Sequence, residues 1–331
     1  MKNIVSSLKI SLVIIGAVLG AGFVSGKEIY EFFNGQNIYA VMFTLFVLFF
    51  GISFMALSNG LNRSRIYNKT SALFLIGNFI IGSGMFSAID SLFAIIFPWS
   101  YKLSIFSFLT AIFSSLVTVG GKKWLKTVNA ILVPVMILVI ATFVFIPYKS
   151  TVDFSGGYDI MKIFSYCGLN LFLALPVLSG LGEGESRKVS LTASVLSSLT
   201  ITILLYMIFS CLKNQNFSKI DLPVLFVVKD NGVLYVTYVF VLFIGILTTL
   251  LSAHYTVFNF FDNSRKGNVF RVIFTVAMFV FSKIGFGNIV SIVYPYMGGA
   301  GIIAIFIYAF ELFFFPKSQP EGTLSPLKST K

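Results

Sequence analysis

Few side chains in this sequence of 331 residues can do chemistry. There is one histidine, His254, and there are two cysteines, Cys167 and Cys211, all inside apolar runs. That leaves no Cys/His zinc cluster, and no Ser-His-Asp set with a second His to fall back on. Two cysteines 44 positions apart in apolar segments do not make a disulfide framework. Asp90 falls late in an apolar run, where charge is expensive and usually functional. It could carry a coupled proton or pair with an amine, or equally snorkel from a helix end. His254 reads as interfacial, at the cytoplasmic end of its run, and Lys283 and Glu311 read as anchors near helix ends.

The sharper signal is a pattern of breaks. The first apolar run contains Gly16, Gly20, Gly22 and Gly26 within eleven residues, followed directly by Lys27, Glu28 and Glu31. Each glycine weakens a helix by about 0.8–1.0 kcal/mol against alanine. Close helix packing would account for the Gly16/Gly20 spacing. Gly20-Ala21-Gly22 ahead of a short charged amphipathic piece fits an interrupted helix better, because its free N–H groups and helix end can face an anionic ligand. No strand precedes the motif, so it is not a dinucleotide fingerprint. The sixth run carries Tyr166, Gly168 and Asn170, then Pro176 and Gly180-Leu181-Gly182. It reads either as a second interruption or as a proline-kinked helix whose Asn170 bonds a neighbour. In the third run, Asn78 and Ser83, within Gly82-Ser83-Gly84, could contact a ligand, although packing explains the glycines as well.

These residues must be carried by membrane-spanning helices. Hydrophobic residues make up 57% of the chain and charged residues 11%, against about 25% charged in an ordinary soluble domain. Apolar runs near 10–25, 38–58, 72–96, 103–119, 128–146, 161–181, 191–211, 233–260, 268–284 and 287–315 predict ten spans. The runs are too long for barrel strands, so the fold class is an all-α integral membrane protein. The last run reads as one long helix kinked near Tyr294–Gly299. Residues 1–316 are expected to form one transmembrane domain, with residues 317–331 a disordered cytoplasmic tail. Met1–Ser25 mimics a secretory signal, but a second apolar run follows at once, so it reads as a retained first helix.

The net charge of +12 does not imply a nucleic-acid partner, because the basic residues lie between apolar runs. Sixteen of the 24 Lys and Arg, including all five Arg, fall on one side of a ten-span topology. Both termini are therefore predicted to be cytoplasmic. Residues 1–150 and 151–316 hold five spans each, so any internal repeat would be inverted across the bilayer, a design common among secondary transporters.

Gly20-Ala21-Gly22-Phe23-Val24-Ser25-Gly26-Lys27-Glu28 resembles the first-helix signature of the YkvI-type bacterial membrane proteins. These are related to the amino acid–polyamine–organocation superfamily, which has the LeuT fold. The resemblance implies a 5+5 inverted repeat with helices 1 and 6 interrupted. It implies that Gly20, Ala21, Gly22 and Ser25 meet a substrate, with Ala21 and Gly22 receiving its carboxylate on backbone N–H groups. Tyr166, Gly168 and Asn170 would line the other wall. Gly245-Ile246-Leu247-Thr248-Thr249 is similar to a helix 8 pattern of sodium-coupled members. Carried over, it implies a Na⁺ site made by Gly245, Thr248, Thr249 and the carbonyls of Gly16 and Leu19. Hydroxyls on membrane helices also commonly bond their own preceding carbonyls.

The expectation is a secondary active transporter of the bacterial cytoplasmic membrane, moving an amino acid or similar zwitterion by alternating access with Na⁺ or H⁺. No organic cofactor is implied, and the chain is not expected to be an enzyme. Its partners are the lipid bilayer and the small solute. The alternative is a germinant-type nutrient receptor subunit of the same superfamily fold, which senses amino acids without necessarily moving them.

Overall fold

The computed structural model describes residues 2–59, 66, 71–97, 104–119, 121–142, 157–182, 184–212, 216–261 and 265–314. The tail expected to be disordered lies outside these residues, as do several of the basic loop residues used to orient the chain.

The described chain is helical throughout, apart from one isolated parallel bridge between Gln36 and Gly157. In order the elements are α1 (Lys2–Val18), α2 (Ala21–Ser25), α3 (Lys27–Phe33), α4 (Ile38–Asn59), α5 (Ser71–Ile96), α6 (Ile105–Val119) and α7 (Gly121–Ala141). The second half holds α8 (Ile160–Gly182), α9 (Arg187–Leu212), α10 (Pro223–Val228), α11 (Gly232–Phe260), α12 (Arg265–Phe281), α13 (Phe286–Asn288) and α14 (Tyr294–Phe314). Helices dominate because hydrocarbon supplies no partner for backbone polar groups, so each segment must satisfy its own.

Among the described residues, seven helices are long and apolar enough to cross a bilayer, or eight if the bent pair within α8 counts as one span. Ten were expected from the sequence. The remaining two apolar runs form shorter helices, Asn3–Val18 and Ile105–Thr118. Large apolar side chains cover the outside: Phe43, Leu138 and Phe313 are each about 70% exposed. Such a surface is stable only against lipid.

The breaks differ from one another. In the first run the helical ladder stops at Val18; Gly20 N–H bonds the Val18 carbonyl instead of continuing the i−4 pattern. A second turn falls at Gly26, whose φ of 80° lies in the left-handed region that glycine tolerates best. The sixth run, by contrast, is one continuous helix, bent by 55° between Ile160–Phe172 and Ala174–Gly182. Pro176 explains the bend, since its ring clashes with the carbonyl four residues back, that of Phe172. The proline-kinked alternative is therefore the one found there. The last run is continuous too, but its irregularity is a π-turn at Ile289–Val293, just ahead of Pro295. A π-turn relieves the same proline clash by widening the preceding turn.

The packing crosses the chain. Helices α1 and α4 lie against α9, and α5, α6 and α7 lie against α11. α8 runs along α14, where backbones meet closely: a Cβ on Gly168 would strike the Gly298 carbonyl and the Ile302 N–H.

Candidate functional site

The break in the first helix faces α11. Because Gly20 N–H turns to Val18, the Gly16 carbonyl is not taken by it. That oxygen lies 3.5 Å from the Thr249 hydroxyl, which donates to it from α11. A Cβ on Gly20 would come within 2.7 Å of the same Thr249 oxygen, and one on Gly245 within 3.0 Å of the Leu19 carbonyl. The small residues thus let the two segments approach closely at Gly16–Thr249 and at Leu19–Gly245. Thr248 is also buried, but its hydroxyl donates to the Gly245 carbonyl of its own helix, 3.1 Å away. Of the five residues the resemblance implied for Na⁺, Gly16 meets Thr249 and Leu19 lies against Gly245, while Thr248 bonds its own helix.

Beside Gly20 and Thr249 lies a small cavity of about 20 Å³, enough for a single water molecule. Its polar wall comes from five helices and the break itself: Gly20, Glu28 of α3, Asn78 of α5, Asn170 of α8, Thr249 and Ser252 of α11 and Tyr294 of α14. Asn78 and Asn170 each donate to the carbonyl four residues back, Phe74 at 2.8 Å and Tyr166 at 3.1 Å. Those bonds hold both amides against their helices, which makes them tolerable in an apolar interior.

Glu28 was not among the residues singled out from the sequence. Adjacent to Lys27 and close to Glu31, it reads there as part of a charged amphipathic face. In the structure it is only 5% exposed, and its Oε2 has no hydrogen-bond partner among the described residues. Its side chain folds over Gly22, so that a Cβ there would overlap the carboxyl group. Lys27 turns the other way, donating to the carbonyls of Ser218 at 2.7 Å and Phe217 at 3.3 Å and pairing with Glu31 at 3.1 Å.

Other expected residues serve packing or local bonding. Ala21 and Gly22 are buried, with Gly22 beneath Glu28 rather than on the cavity wall. The Ser25 hydroxyl donates to Gly22 and accepts from the Lys27 N–H, both at 3.2 Å, which fastens the turn at Gly26. Ser83 donates to the Phe79 carbonyl of its own helix at 2.7 Å. Gly168 faces α14. Tyr166 is fully buried among the rings of Phe32, Phe33 and Phe49, its hydroxyl without a partner among the described residues.

The isolated charges also find their places. Asp90 stands apart from the cavity. It accepts from Lys283 at 2.7 Å, from Ser104 at 2.9 Å and from Ser107. Lys283, expected as a free anchor, is thus the counter-ion of Asp90, and the cluster ties α5 to the start of α6 and to the turn after α12. His254 is fully buried inside the protein, beside Phe86 and Phe258, with Nε2 3.3 Å from the Thr275 hydroxyl. Arg271 donates to the carbonyls of Phe258 and Phe261 at 2.5 and 2.6 Å, satisfying backbone oxygens that the end of α11 would leave open.

No protein-family model matches the chain. It is similar to the uncharacterized membrane protein YkvI of Bacillus subtilis (strain 168), at 27% identity, over 88% of this chain and 92% of YkvI. It is also similar to the uncharacterized protein YyaD of the same organism, at 24% identity, over 88% of this chain and 93% of YyaD. The chain is a multi-span membrane protein, distantly homologous to both over most of its length.

Proposed function

We propose that the protein is a secondary transporter that moves an amino acid or similarly small zwitterion across the bacterial cytoplasmic membrane by alternating access, driven by Na⁺ or H⁺. On this reading it has ten spans in a 5+5 inverted arrangement with both termini cytoplasmic, and it does no covalent chemistry on its cargo. The observation that carries the reading is the break at Leu19–Gly20, which opens onto a polar cavity walled by residues of α3, α5, α8, α11 and α14. A polar pocket lined by irregular backbone inside an apolar bundle is how transporters hold a solute at mid-membrane.

With room for about one water, the cavity is in a closed arrangement. Admitting an amino acid requires α2 and α3 to swing, and the chain has a joint at each end of α2: the Leu19–Gly20 break and the left-handed Gly26. A sodium ion, a hard cation served by neutral oxygens, fits the convergence of Thr249 with the carbonyls of Gly16 and Leu19. Those residues would hold it and so steady the break.

A binding and uptake screen of the purified protein in liposomes, against the amino acids with and without Na⁺, tests this. Saturable uptake of one or a few of them is expected. Binding without uptake would assign the protein to nutrient sensing, and neither binding nor uptake would remove amino acids as its ligands.

A further inference from the structure

Glu28 is a carboxyl group inside the bundle that pairs with no cation among the described residues. Tyr166 of α8 and Tyr294 of α14 are the titratable groups that face it electrostatically. Their hydroxyls, like Glu28 Oε2, are buried without hydrogen-bond partners among the described residues. On its own segment, Lys27 and Glu31 pair with each other, and the Lys27 ammonium lies against the loop carbonyls of Phe217 and Ser218. From α5, α8 and α11 the polar side chains on the cavity wall are the neutral Asn78, Asn170, Thr249 and Ser252. Of the other acids within candidate spans, Asp90 has Lys283, and Glu311 accepts from the Ile66 N–H at 3.1 Å.

A carboxylate buried without a counter-charge costs several kcal/mol, and the group avoids that cost by holding a proton. Once water or a ligand's ammonium group reaches it, the charged form is solvated or paired and the proton can leave. We propose that Glu28 is a proton-binding site that holds its proton while the cavity is closed and releases it when α2 and α3 open. The bond that breaks is the carboxyl O–H; the proton passes to water admitted to the cavity, and no other reactant is needed. Closing the cavity then requires a proton to return. The protonation does not depend on the cargo, whereas its use in transport rests on the reading above.

Two measurements keep the ideas apart. In purified protein, the infrared carbonyl band of a protonated carboxylic acid should be present at neutral pH, vanish at alkaline pH, and be missing from Glu28→Gln. A Gln variant whose spectrum matches the wild type at every pH overturns the proposal. Glu28→Asp, which keeps an ionisable group, should keep a band. In liposomes with the membrane potential clamped, the probe is a mixture of radiolabelled amino acids. One coupled proton and a one-unit pH gradient support about tenfold accumulation. Glu28→Gln should lose that accumulation yet retain exchange at equal pH on both sides. Gradient-driven accumulation that survives in the Gln variant also overturns the proposal. A wild type that takes up none of the probe counts against amino acid transport, and the infrared measurement alone then decides Glu28.

Discussion

The Lys283 ammonium lies 2.7 Å from the Asp90 carboxylate across 193 residues of sequence, joining the C-terminal part of α5 to the turn that follows α12. The Lys283 side chain is 48% exposed, whereas Asp90 is buried and also holds two serine hydroxyls. Lys283→Met should therefore cost little, about 1 kcal/mol or less. Asp90→Ala leaves both serines and the lysine without their acceptor and should cost about 2–3 kcal/mol. Thermal unfolding of the two variants checks the order. Retained uptake in Asp90→Ala marks the cluster as a structural tie; a stable variant that loses gradient-driven uptake would move proton coupling from Glu28 to Asp90.

Sodium provides a separate test at the other side of the cavity. Thr249→Ala removes the hydroxyl that reaches Gly16 and should shift the sodium dependence of ligand affinity upward by about tenfold, the equivalent of one lost oxygen contact. Thr248→Val, whose hydroxyl bonds its own helix, should shift it much less. Affinity measured against sodium at fixed pH separates them, and a curve unmoved by either change excludes the ion from this spot.

Two glycines should behave oppositely on gaining a methyl group. At Gly168 the methyl meets the backbone of α14, which cannot move aside, so Gly168→Ala should destabilise by about 1–3 kcal/mol. At Gly22 it meets the end of the flexible Glu28 side chain. Gly22→Ala should fold with little loss and instead change the pH dependence of uptake by displacing that carboxyl group. Melting temperatures and pH profiles of the pair check both expectations.

Orientation is open to a direct measurement. A reporter fused after Lys331 should report the cytoplasm, and one inserted near Ser155 the outside, if the excess of basic loop residues sets the topology. A C-terminus found outside would require an odd number of spans.

The apolar runs and the first break could be read from the sequence because both are local: hydrocarbon length and glycine spacing act within one segment. Gly20, Asn78 and Asn170 were also legible, being polar or small residues where an apolar one would cost less, whereas Thr249 came only from the resemblance of Gly245–Thr249 to a helix 8 pattern. The sixth run was ambiguous, since Pro176 bends a helix as readily as it ends one, and only neighbouring packing decides. Pairings across the chain were not legible. Lys283 resembles an anchor until Asp90 stands beside it, and the contact of His254 with Thr275 of α12 crosses between two elements. Glu28 was hidden by its charged neighbours, which suggest a wet surface where the fold makes a dry one.

The crossing of the two halves also bears on how the protein is made. Lys27 leaves the ribosome long before Ser218, the residue whose carbonyl it needs, has been synthesised, 191 positions later. α4 waits for α9, and α5 waits for α11. Contacts so distant in sequence close late and slowly. During synthesis the early helices must therefore sit in the bilayer with Lys27, Glu28 and Asp90 lacking the surroundings that later enclose them. The first half, expressed without the second, should therefore not persist as a stable fragment.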